Sequence, residues 1–206
     1  EMSLHRSSIV WHGVGMTIFI KILCLMFTVV IGSVGMSARA DYQKGADAYG
    51  KKDYATALEQ WTIAAEQGDA VAQFNLGTMY YRGIGTPKNL KMAANWYNLA
   101  AAQGYAKAQH SLGILYENGT GVPKDPKSAI KWYKLAAKQG YADAPHNLGV
   151  MYRTGTGVPQ NHQKALKWYR VATKYGSPHS AFALGLMHSK GAGVPQDYDK
   201  AIKWIR

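Results

Sequence analysis

Cysteine is nearly missing from this chain: Cys24 is the only one in 206 residues. A single thiol excludes an intramolecular disulfide framework and any paired-cysteine zinc or redox site. Acidic residues are scarce too, with 12 Asp and Glu against 24 Lys and Arg, a formal net charge of +12. Charge of that sign points to an anionic partner and says nothing about fold. Charged residues amount to only 17% and hydrophobic ones to 47%, which excludes a disordered polyelectrolyte. Catalytic signatures are also lacking. There is no His-Glu-x-x-His, no P-loop, no Gly-x-Ser-x-Gly and no His/Cys set at metal-ligand spacing. No catalytic residue, cofactor, metal or small-molecule substrate is expected.

Residues 1–40 read as a targeting segment. Lys21 precedes an apolar run of 15 residues, Ile22 to Met36, and Ala38-Arg39-Ala40 matches the small-x-small cleavage pattern. Cleavage after Ala40 makes Asp41 the first mature residue. Residues 1–15 resemble no export sequence, so Met16 is the expected initiator. The competing reading is an inner-membrane anchor over 17–36, barely long enough to span and carrying Lys21 inside. Export to the periplasm or medium is expected. It fits a mature chain with no free thiol.

Beyond residue 40 the chain repeats every 36 residues. Gly68, Gly104, Gly140 and Gly176 keep that interval, as do Gly77, Gly113, Gly149 and Gly185. Gly83, Gly119, Gly155 and Gly191 follow it, and so do Gly85, Gly121, Gly157 and Gly193. Pro87, Pro123, Pro159 and Pro195 share the lattice with Trp96, Trp132, Trp168 and Trp204. The expected organisation is a capping helix over 41–52, repeats at 53–88, 89–124, 125–160 and 161–196, and the start of a fifth at 197–206. That fifth unit stops midway through a helix, as in a fragment or a truncated array.

Each unit reads as two antiparallel helices. In 125–155, Asp125 is the N-cap and Pro126 takes the first helical position, where its missing N–H costs nothing. Asp53, Asn89, Asn161 and Asp197 are caps in the same register. Ala129, Ile130, Trp132, Tyr133, Ala136 and Ala137 mark one apolar helical face, and Gly140 ends the helix. A second helix is expected from about Ala142 to Thr154, with Ala144, Leu148, Met151 and Tyr152 buried. Pro145 falls in its first turn, where it is tolerated or delays the start. Gly149 and its equivalents lie inside second helices, at about 1 kcal/mol relative to Ala, so a close approach by a neighbour is expected there. The Trp132-Tyr133 pair is expected to fill the groove between units. His110 and His146 share a register with Phe74 and Phe182, a ring at a half-buried position rather than a metal pair. His162, His179 and His188 have no partners that the sequence names.

Three segments carry a family resemblance: Ala-Ile-Lys-Trp-Tyr-Lys-Leu-Ala-Ala-Lys-Gln-Gly at 129–140, Asn-Leu-Gly-Val-Met-Tyr at 147–152 and Gly-Thr-Gly-Val-Pro at 155–159. With their copies over 53–206 they resemble Sel1-like repeats of the exported bacterial type, relatives of the tetratricopeptide repeat. The resemblance implies an all-α fold: an α/α solenoid of about four helix-turn-helix repeats in a right-handed superhelix. It implies a concave face lined mainly by the first helices, and a scaffold that holds other proteins. A cysteine-rich subgroup linked to β-lactam binding or hydrolysis has cysteines that this chain lacks.

One feature stands outside the repeat grammar. Lys127, Lys131, Lys134 and Lys138 share a helix face, and Lys164, Lys167, Arg170 and Lys174 repeat it one unit on. The plainer reading is a solvated face. The sharper one is a surface for an anionic partner. Residues 91–206 hold 16 basic and 5 acidic side chains, net +11, while 41–90 hold 5 and 6, net −1. The expected function is a non-catalytic exported scaffold for protein partners, acidic ones among them. Anionic glycan or membrane headgroups are the other candidate partners, and no nucleic acid is expected. The alternatives are a cell-wall or β-lactam-active enzyme and a periplasmic binder of anionic glycan.

Overall fold

The 36-residue period resolves into two helices and two unlike turns. The computed structural model describes residues 37–206, and within them the chain forms ten helices and no strand. Helix α1 covers 37–50. It is followed by α2 (Tyr54–Glu66), α3 (Ala70–Arg82), α4 (Leu90–Ala102), α5 (Ala106–Asn118) and α6 (Pro126–Lys138). Then come α7 (Asp143–Thr154), α8 (His162–Lys174), α9 (Pro178–Lys190) and α10 (Tyr198–Ile205). From α2 onward the backbones approach closely between consecutive helices, as in an α-solenoid whose units touch only their neighbours. The targeting and anchor readings of 1–36, with Met16, Lys21 and Cys24, lie outside the described residues. Among the described residues no helix is long and apolar enough to cross a membrane.

Caps fix the helix starts. The side chains of Asp53, Asn89, Asn161 and Asp197 accept from the backbone N–H three residues on, and Asp125 accepts from both Lys127 and Ser128. The side chains of Thr56 and Ser128, and then these backbone bonds, hold the carboxyls of Asp53 and Asp125 below the ordinary aspartate range, and at Asp197 the Lys200 backbone bond leads. The longer turn is built around two glycines in the left-handed region. Gly155 caps α7 at φ 80°, and Gly157 follows at φ 71°. A side chain on Gly157 would stand 2.6 Å from the Pro126 ring, so both conformation and space call for glycine. The turn closes where Asn161 N–H donates to the carbonyl of Tyr152 at 2.7 Å. Pro145 sits buried as the third residue of α7, which starts at Asp143 with no side-chain cap, one residue later than its repeat equivalents.

The helical glycines are sockets for the next helix. A Cβ on Gly77 would meet the ring of Tyr97 at 2.8 Å, and on Gly113 and Gly149 the rings of Tyr133 and Tyr169 at 2.5 Å. Tyrosine, rather than tryptophan, is therefore the buried knob: Tyr133 is 0% exposed, while Trp132 is only half-buried. At the N-terminal end Gly45 faces the indole of Trp61, which donates to the carbonyl of Tyr42 at 3.2 Å. Tyr42, Ala46 and Tyr49 of α1 pack on the same core as Ala57 and Leu76.

A second link runs between units. Gln73 donates to the carbonyl of Ala65 at 3.0 Å, and Gln103 donates to Gln73 at 2.8 Å. One period later Gln109 donates to Ala101 at 3.2 Å, and Gln139 to Gln109 at 2.9 Å. These amides add a second donor to carbonyls in the last turns of α2 and α4, which already accept from the N–H of Gly68 and Gly104. Another period on, the positions hold Pro145 and Tyr175, and the ladder ends.

Candidate functional site

Seating a tyrosine between two helices leaves a furrow above it. The furrow between α3 and α5 encloses about 330 Å³ over Tyr97, bordered by Phe74, Tyr81, Arg82 and Ile114. The furrow between α7 and α9 encloses about 540 Å³ over Tyr169.

The α7–α9 furrow has the richer chemistry. Val150, Phe182 and Leu186 give it an apolar lining, with Phe182 53% and Leu186 40% exposed. The repeat equivalents of Phe182, namely Phe74, His110 and His146, lie 5.4, 5.6 and 5.6 Å from Tyr97, Tyr133 and Tyr169, whereas the position equivalent to those tyrosines beside Phe182 is Ile205. Arg153 and Lys190 border the cavity, and no carboxylate does. Three histidines are among its lining residues: His146 from α7, His162 from the start of α8 and His179 from α9.

These rings have defined surroundings. Nδ1 of His146 lies 2.8 Å from the Ser180 hydroxyl, and its ring is 6.0 Å from that of His179. Burial holds His146 below the ordinary histidine range, helped by the charges of His179 and Arg153 and opposed by Asp143. Nδ1 of His162 is buried with no hydrogen-bond partner among the described residues. Arg153 donates from Nε to the Tyr169 hydroxyl at 3.3 Å. His110 has a structural setting instead, buried against Tyr133 and Tyr141 with Asn147 3.2 Å from its Nε2.

The basic stripe lies elsewhere. Lys127, Lys131, Lys134 and Lys138 on α6 and Lys164, Lys167, Arg170 and Lys174 on α8 are all exposed and line neither furrow. Among the described residues none of them forms an ion pair. Lys164 stands 5.5 Å from the Tyr152 ring, and Arg170 borders a cavity of about 400 Å³ with Trp204, Asp197 and the buried His188. Among the described residues no group of three or more His, Cys, Asp or Glu is placed to hold a metal ion. The furrow histidines escape a reading by period because His162 and His179 occupy positions that hold other residues in the other units. The one available signal was Phe182, an aromatic whose repeat partner is replaced by an aliphatic.

The Sel1 repeat pattern matches residues 34–69, 70–105, 106–141, 142–174 and 178–206. In that phase α3, α5, α7 and α9 are the first helices of their units, and they form the furrowed face. A Sel1 repeat protein from Oxalobacter formigenes is 38% identical with a TM-score of 0.72, covering 78% of this chain and 66% of that one. A protective antigen of uropathogenic Escherichia coli with an SLR fold is 34% identical with a TM-score of 0.78, covering 81% and 37%. A putative sel1-like repeat-containing protein of Acanthamoeba polyphaga mimivirus is 55% identical over 38 residues, 18% of this chain and 6% of that one. The chain thus spans less than two thirds of the length of each.

Proposed function

The chain belongs to the Sel1 repeat family, whose fold is typical of protein–protein interaction scaffolds, and on that premise we propose that it is a non-catalytic scaffold for a partner protein. The observation that carries this reading is the furrowed face of α3, α5, α7 and α9. Its two furrows carry apolar side chains, Phe74 and Ile114 in one and Val150 and Ala183 in the other, and α3, α5 and α7 are each seated on the following helix by a tyrosine in a glycine socket. Contiguous exposed apolar surface on a stable framework marks an interaction site. The strong positive charge of residues 91–206 favours an acidic partner, and the α6 and α8 stripe adds a long-range attraction that raises the encounter rate.

The stripe is tested by charge reversal. A Lys131→Glu, Lys134→Glu, Lys167→Glu, Arg170→Glu variant should associate with the captured partner roughly ten- to a hundredfold more slowly. Wild-type association should slow as salt rises, because exposed charges are screened over about 10 Å at 0.1 M. Association unchanged by both would sink the stripe's role. Rapid hydrolysis of a reporter β-lactam by the purified chain would overturn the non-catalytic reading.

The proposed site of action is outside the cytoplasm. Helix α1 runs through the Ala38-Arg39-Ala40 motif, and cleavage after Ala40 leaves Tyr42, Gly45 and Tyr49 in place against the first core. N-terminal sequencing of the protein from a fractionated native host should read Asp41 first, in the periplasmic or secreted fraction. A chain that starts upstream and stays in the cytosol would refute export.

A further inference from the structure

We propose that the α7–α9 furrow is the docking site for an acidic segment of a partner protein carrying an aliphatic or aromatic anchor, held more tightly as pH falls. The inference rests on the scaffold reading and narrows it to one site and one partner chemistry.

Shape and charge both select that occupant. The cavity of about 540 Å³ holds several large side chains, and Phe182, Leu186 and Val150 offer them apolar contact. An anchor seated there covers surface that is otherwise wet, at about 25 cal/mol for each Å² of apolar area removed from water. The border is cationic: Arg153 from α7 and Lys190 from α9 face the cavity without an acidic neighbour in it. Arg153 suits a carboxylate because its planar fork can donate two parallel hydrogen bonds. Val150, Ala183, Leu186 and Met187 make the lining aliphatic between the rings, which matches an apolar side-chain anchor rather than the polar edge of a base.

The pH dependence follows from the groups that face the histidines. Helix α7 brings His146, Arg153 and Asp143; α8 brings His162 and Tyr169; α9 brings His179 and Lys190. In the free protein, burial and the neighbouring positive groups favour neutral His146. A carboxylate placed in the furrow favours the imidazolium instead, so binding takes up a proton. The added affinity is fully present below the free-state pKa and is lost as pH rises through the bound-state pKa. Ligand carboxylates remain ionised at about pH 5.5.

The test uses the full chain as bait for a displayed library of random twelve-residue peptides. Enriched sequences should combine Asp or Glu with one or two large apolar residues. Anisotropy with the best enriched peptide should show affinity falling about tenfold or more in Phe182→Ser and in Arg153→Glu. Lys131→Glu on the stripe should leave it unchanged. Binding should be about tenfold tighter at about pH 5.5 than at about pH 7.5, and His146→Gln should flatten that difference. Phe182 is exposed and His146 lies half-buried at the furrow, so neither replacement removes a core side chain. Enrichment of neutral or basic peptides, no enrichment, displacement by single-stranded oligonucleotide, or indifference to Phe182→Ser and Arg153→Glu would each overturn the proposal. Binding that maps to the stripe or to the α3–α5 furrow overturns it while leaving the scaffold reading standing. A chain that captures no protein at all overturns both.

Discussion

Tyr133→Ala should lower the free energy of unfolding by about 3–5 kcal/mol, measured by urea denaturation. Tyr133 is fully buried, packed in the socket of Gly113 and against the ring of His110, 5.6 Å away. Truncation removes a large apolar contact, and the rigid backbones on either side cannot close the space. It also strips Glu117 of a hydroxyl that donates to it at 2.6 Å. Burial, with the hydrogen bond to Glu117, pushes that hydroxyl far above the ordinary tyrosine range, so it stays a donor at every working pH. Tyr133→Phe isolates the polar part and should cost only about 1.5–3 kcal/mol. Trp132→Ala should cost less than Tyr133→Ala, since the indole is only half-buried. Equal losses from Trp132→Ala and Tyr133→Ala would show that tyrosine is not the principal knob.

Gly149→Ala sets two effects against each other. Helix propensity favours alanine inside a helix by about 1 kcal/mol. Packing opposes it, because the new methyl would stand 2.5 Å from the Tyr169 ring, inside any real contact distance. Tyr169 is itself buried and tied to Arg153, so its ring has little room to retreat. The net outcome should be a loss of about 1–3 kcal/mol, the usual cost of overfilling a packed site. Gly50→Ala is the control: nothing lies within 4 Å of its added methyl. There the substitution should be neutral or mildly stabilising. Combining Gly149→Ala with Tyr169→Ala should cost clearly less than the two losses added, since the second change removes what the first collides with. A stabilised Gly149→Ala protein would sink the socket description.

The helices and their caps were legible from the sequence because glycine, proline and capping residues act locally and recur at a fixed period. Asp125, Pro126, Gly140 and Gly155 each take the place their chemistry assigns. The glycines inside helices signalled a close approach, but not which side chain makes it. Trp132 and Tyr133 are adjacent and equally regular, and only the packing of α5 on α6 decides between them. Gly45 was harder still. The turn between α1 and α2 is three residues, 51–53, where later units have the long glycine turn, so Gly45 and Trp61 fall out of step with every other pair. The glutamine ladder is invisible for another reason: Gln73 and Gln109 look like surface residues, yet both are buried. The furrow was hidden because periodicity highlights what the units share, whereas His162, His179 and Lys190 are what one unit does differently.

The glycine socket and the tyrosine knob make the array indifferent to its own length. Gly77, Gly113 and Gly149 receive the same ring from the same distance along the chain, 20 residues on. Excising 36 residues between Gly77 and Tyr169 therefore returns a socket to a knob of the same kind, and duplicating 36 does the same. Genetic copying errors of one period cross the core without leaving a misfit in it. The repeat is thus a heritable module as well as a packing unit. A lineage can lengthen or shorten its binding face by whole units while the few irregular residues, such as those lining the α7–α9 furrow, keep their neighbours.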